Sequence, residues 1–97
     1  MLKSSKFSSL AQIGGGIMKI YDFNGKKNLC GEKVYQARKK LKISQTQLAA
    51  RLQVAGLNLE RDSISRIEIG TRFVADYEIA VLCKVLDVTP EYLLGLD

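Results

Sequence analysis

SQTQLAARLQVAGLNLERDSISRIEIG, residues Ser44 to Gly70, is the stretch whose reading decides the fold. Ser44 stands three positions before Gln47, so its hydroxyl can accept from the Gln47 amide while the Gln47 side chain reaches back to the Ser44 amide. That reciprocal cap predicts a helix start. Leu48, Ala49 and Leu52 then gather on one side of the helix, leaving Gln45, Thr46, Ala50 and Arg51 on the others. Gly56 and Asn58 break the period and mark a turn. In the second periodic run Ile64 and Ile67 face inward, Arg61, Asp62, Ser65 and Arg66 face outward, and Gly70 ends the helix as a left-handed cap.

Working outward, the spacing of Val34, Ala37 and Leu41 predicts a helix over Glu32 to Lys42 with those three residues inward. A further helix is predicted over Asp76 to Leu86, where Ile79, Leu82, Cys83 and Leu86 form the inner side; Cys83 there reads as a small core hydrophobe. The last helix opens with Thr89 as N-cap and Pro90 at the first position, closes the core with Leu93 and Leu94, and ends at Gly95. Tyr77, Val81, Val85 and Tyr92 exceed what one stripe can bury and are candidates for a subunit interface.

Residues 18 to 31 alternate apolar and polar side chains and then meet Asn24-Gly25, a turn signal consistent with a short strand or hairpin arm carrying Lys26 and Lys27. Residues 1 to 17 are Ser- and Gly-rich without a period and are expected to form a disordered leader. Gly14-Gly15-Gly16 is what a purine-rich ribosome-binding sequence would translate into, so the natural start is expected at Met18.

Ninety-seven residues make one domain, too small to join a reader to an effector-binding domain. A hydrophobic fraction of 46% with a single proline suits a folded helical chain. Cys30 and Cys83 form neither a disulfide nor a zinc pattern, which suits the cytoplasm, and no metal or cofactor site is expected. No run of apolar residues is long enough for a membrane span. Without histidine, a carboxylate cluster or a phosphate loop, no catalytic constellation can be assembled, so an enzyme is not expected.

The net charge of +5 conceals an asymmetry. Residues 1 to 51 carry eleven Lys or Arg against two acids, a net of +9, and residues 52 to 97 carry four against eight, a net of −4. Such a chain can lay its basic side on a polyanion and keep the other for itself or a partner.

SQTQLAARL, DSISRIE and IGTRF, in that order, resemble the helix-turn-helix of the lambda-repressor-like, Cro-type (Xre) transcription regulators. The likeness continues through LCKVLDVTPEYLLG to Gly95 and back to EKVYQARKKLK, covering about two-thirds of the chain. It implies an all-α, five-helix DNA-binding domain over residues 32 to 97, with a lengthened turn before the recognition helix and room for an extended N-terminal arm. Leu52 and Ile64 stand twelve apart here, where typical members keep about seven around their tight turn. The extra residues, within QVAGLNLERD, could lengthen either helix or the loop.

The chemistry of DNA reading then sorts the polar residues. Arg61 suits a two-bond grip on guanine; Ser63, Ser65 and Arg66 can meet base or phosphate; Asp62 can accept from cytosine or orient an arginine. Ser44, Gln45 and Thr46, at the start of a helix with free amides, are expected to hold phosphate, with Lys39, Lys40 and Lys42 adding attraction. The resemblance also implies phosphate contacts from Thr71 and Arg72, and a partly buried Arg38–Glu68 ion pair joining the first helix to the recognition helix. Two functions fit: a repressor binding double-stranded DNA as a homodimer, or a protein-interaction module of the same body, such as an antitoxin or co-regulator.

Overall fold

The structure is a computed structural model in which residues 23–97 are described. The expectations for residues 1 to 17, for a start at Met18 and for the first part of the arm lie outside them. The described residues form five helices: α1 (Gly31–Lys40), α2 (Gln45–Val54), α3 (Arg61–Ile69), α4 (Asp76–Leu86) and α5 (Pro90–Leu94). α3 packs on both α1 and α2, while α4 and α5 close the core against α1, with α4 also touching α2. At the centre Val34, Leu48, Leu52, Ile64, Ile67, Leu82 and Leu93 are all but inaccessible to solvent.

α4 keeps the expected bounds, and of the four residues expected at an interface only Tyr77 stands clear of the body, 65% exposed. Val81, Val85 and Tyr92 lean on the core. Both cysteines are buried; burial pushes the Cys30 thiol up to about 11 and raises that of Cys83, so both are protonated, small hydrophobes at neutral pH.

α1 departs from its expected span. It ends at Lys40, the chain turns through Lys42 at φ +61°, and Leu41, expected inward, is 38% exposed. Ile43 fills the place in the core instead, 7% exposed. The reason lies in α2, whose cap at Ser44 needs extended backbone (φ −81°, ψ 169°) and so cannot follow an unbroken first helix.

The lengthened connection is a loop, residues 55 to 60, and neither flanking helix absorbs it. α2 stops in a Schellman arrangement: Gly56 adopts φ +97°, its amide donates to Gln53 O (3.0 Å), and the Leu57 amide donates to Leu52 O (2.8 Å). From there the chain alternates. Leu57 and Leu59 are buried at 8% and 7% exposure, while Asn58 and Glu60 face solvent.

Of the arm, the described part is a tight turn. Phe23 and Lys26 exchange backbone hydrogen bonds (2.7 and 3.0 Å) around Asn24 and Gly25, both at positive φ, the geometry of a two-residue hairpin. Asn28 ties this turn to the body: its amide nitrogen donates to Ile67 O (3.1 Å) and Arg72 O (2.8 Å), and its Oδ1 accepts from the Gly31 amide (2.8 Å), capping α1. Here α1 meets the end of α3 so closely that a Cβ on Gly31 would collide with the backbone oxygen of Ile67. Exchanging a helical glycine for alanine ordinarily stabilises by up to ~1 kcal/mol. Gly31→Ala is expected to reverse that sign and destabilise by about 1–3 kcal/mol, since backbone must shift. A urea midpoint at or above the wild-type value would show that α1 and α3 are further apart.

Candidate nucleic-acid interface

α3 owes its orientation to what lies behind it. Ile64 and Ile67, each 1% exposed, pin its inner side, and Glu68 fastens it to two other helices. Arg38 of α1 donates from Nε to Glu68 Oε2 (2.7 Å) and from Nη2 to Oε1 (3.0 Å), and Gln45 of α2 donates to Oε1 (2.9 Å). The remaining Arg38 fork nitrogen, Nη1, donates to Ile43 O (2.9 Å). Both side chains of the ion pair are under 10% exposed, and the Glu68 hydrogen bonds hold the Arg38 pKa above its usual value. Gln45 therefore spends its side-chain amide inside the protein, although its position at a helix start points to phosphate.

With its back held, α3 offers the opposite side to solvent. Arg61, Asp62 and Arg66 are exposed, and Ser63 and Ser65 are half-buried. Arg61 and Asp62 sit 3.2 Å apart in a solvent-exposed pair, worth less than ~1 kcal/mol and easily exchanged for another partner. The row 61, 65, 69 ends on Ile69, 59% exposed. Sequence reasoning passes over that residue, although its i+4 spacing from Ser65 is a usable signal.

The start of α2 is reached by Arg61 from the first turn of α3, and its Gln45 is bonded to Glu68 in the last. The predicted capping box is formed, with Gln47 N donating to Ser44 Oγ (3.0 Å) and Ser44 N donating to Gln47 Oε1 (2.8 Å). The amides of Gln45 and Thr46 have no acceptor within the helix and point out of its positive end. Around that end a recess is lined by Lys39, Lys42, Ser44, Gln45, Thr46, Gln47 and Arg61, with no acidic side chain in its wall. Cations and amide dipoles converge there, and Arg61 belongs to the recess as well as to the outward side of α3.

Thr71 and Arg72 are separated by the structure. Thr71 is exposed just beyond Gly70, which closes α3 at φ +97° and lets the Thr71 amide donate to Arg66 O (2.9 Å). Arg72 turns the other way: its two terminal nitrogens meet the two Glu78 oxygens at 3.0 and 3.1 Å, and one also donates to Phe73 O (2.8 Å). The nitrogens expected at a phosphate are thus both engaged by Glu78. The partner is 5% exposed and stands six residues on, across a bend whose packing no local period reveals.

Burial by itself would raise the Glu78 pKa. The Arg72 and Ala75 hydrogen bonds and the Arg72 charge outweigh it, holding the carboxyl below its usual value. A depressed carboxyl contributes stability that is present above the ordinary value and lost as pH falls through the folded one. Wild type and Glu78→Gln are thus expected to differ in Tm at neutral pH and to converge below about pH 4. Parallel Tm curves down to the acid limit would contradict this.

A helix held from behind, offering polar side chains beside the amide end of a second helix, defines a DNA-binding helix-turn-helix domain. Residues 34–93, more than half of the chain, match the family model described as helix-turn-helix, and the chain belongs to that lambda-repressor-like (Xre) family of DNA-binding regulatory domains. No curated protein and no solved structure matches it. Among the described residues no helix is long and apolar enough to cross a membrane.

Proposed function

We propose that the protein is a sequence-specific transcription repressor of the cytoplasm that lays α3 in the major groove of double-stranded DNA as a homodimer. The observation that carries this is the recess joining Arg61 to the start of α2. It brings the Arg61 side chain and the amide end of α2 to one surface, and register on a duplex requires a base contact and a phosphate contact side by side. In this reading Arg61 and Arg66 approach base edges, Ser63 and Ser65 meet base or phosphate, and Asp62 steers Arg61 or accepts from cytosine. Ser44, Gln45 and Thr46 present the amide end of α2 to a phosphate, and Thr71 stands near the next one.

Two-fold symmetry of the homodimer requires an inverted repeat with half-site centres about one helical turn apart. Selection of bound duplexes from a random library is expected to return such a repeat. Enrichment of no sequence, with an unrelated protein retained instead, would favour an interaction module built on the same five helices.

A further inference from the structure

Ile69 is the apolar exception on the outward side of α3. The helix buries Ile64 and Ile67, leaves Arg61, Asp62 and Arg66 exposed and Ser63 and Ser65 half-buried, and ends on Ile69, 59% exposed. Asp62, Ser65 and Arg66 stand seven, four and three positions before Ile69, so helical period gathers all four on one side. Most of the isoleucine remains in water, where apolar surface gains from any partner that covers it.

The backbone of Ile69 is held on both sides. Glu68, one residue before, is bonded to Arg38 and Gln45, and Gly70, one residue after, closes the helix at φ +97°. The turn before α1 adds two ties: Lys26 Nζ donates to Ile69 O (3.1 Å), and the Lys27 amide donates to Gly70 O (2.8 Å). A β-branched isoleucine on a helix keeps essentially one χ1 rotamer. Ile69 therefore has little ordering left to lose when it meets a partner.

We infer that Ile69 is a specificity-determining residue that packs on the C5-methyl group of a thymine in the major groove. Thymine presents that methyl beside its O4 acceptor, an edge matched by an apolar group set among hydrogen-bond donors, as Ile69 is set among Ser65 and Arg66. A protein partner fits this side less well, because the buried centre of a protein interface is depleted in charge, whereas Ile69 is flanked by Asp62 and Arg66. The inference rests on the duplex-reading function proposed above and adds a base preference to it, an A·T pair in each half-site facing the last turn of α3.

The test compares the selected duplex with copies in which the thymines of one half-site are replaced, one at a time, by uracil, which lacks only the methyl. Wild type is expected to bind one of these copies about fourfold more weakly, the value of one methyl group taken from water. Ile69→Ala is expected to bind that copy and the original alike, and Ile69→Val to retain most of the difference. Val54→Ala, which trims an exposed apolar side chain at the end of α2, is expected to keep all of it. Each ratio is taken within one variant, so partial loss of folding cancels. A selected half-site without an A·T pair, a wild type indifferent to every uracil, or a loss that survives Ile69→Ala would overturn the contact and leave DNA reading intact. A uracil ratio untouched by Ile69→Ala together with a weakened dimer in sedimentation would also overturn it, assigning this side to a second copy of the chain. A wild-type chain that selects no duplex would remove the underlying function and the contact with it.

Discussion

Arg38→Ala is expected to lower stability by about 3 to 5 kcal/mol, because it strands a buried carboxylate. Glu68 is 6% exposed on its side chain and accepts from Arg38 twice, so alanine at 38 leaves only the Gln45 amide to satisfy it. The Ile43 carbonyl loses its Arg38 donor as well. For a domain of this size each kcal/mol shifts Tm by about 4 to 8 °C, so thermal unfolding followed by circular dichroism is sufficient to read the effect. Glu68→Ala should behave similarly, since it leaves the guanidinium unpaired. Replacing both with apolar residues of similar size should cost far less than the two single changes combined, because no charge is then left in the interior. An Arg38→Ala variant that melts within a few degrees of wild type would mean that water reaches Glu68. The three-helix junction would then be a surface decoration.

Leu59→Ala is the second change with a large expected effect, about 2 to 5 kcal/mol, the range of a core leucine, although the residue sits in a loop. Its side chain is 7% exposed and Leu57 is 8% exposed, so the loop is stitched to the core at two points. The neighbouring Asn58 and Glu60 face solvent, and Glu60 makes no side-chain cap to α3. Alanine at either should fall within about ±0.5 kcal/mol. Urea midpoints of Leu59→Ala, Asn58→Ala and Glu60→Ala separate the alternatives. Equal midpoints for all three would identify the connection as an unanchored insertion.

How much of this is legible in the sequence depends on range. Features set by neighbours a few residues apart can be read directly: the Ser44–Gln47 cap, the Asp76 and Leu86 bounds of α4, the Thr89 cap and the Gly70 stop. The connection between α2 and α3 cannot. Leu57 and Leu59 are two apart, a period that belongs to no helix, and only the space left in the core decides that they turn inward.

The same limit applies at the interface. The row Arg61, Asp62, Ser65 and Arg66 follows from helical period, and the structure leaves its three charged members exposed and Ser65 half-buried. Gln45 reads as a phosphate ligand from its place at a helix start, yet its side chain is claimed by Glu68, 23 residues away in sequence. Arg72 is placed at phosphate by resemblance and is claimed by Glu78. The Asn24-Gly25 turn is plain from composition, whereas its seat on α3 depends on hydrogen bonds from Lys26 and Asn28 to residues more than forty and nearly forty positions away, which no local pattern encodes.

The alternation in the loop has a consequence for how such a protein diversifies. Anchoring is done by the two leucines, while the side chains of Asn58 and of the position just before Arg61 face solvent. Side chains there can change without touching the core, at the very threshold of the helix that would meet the bases. A lineage, or an engineer randomising only those codons, could explore new sequence preferences while the scaffold beneath stays unchanged.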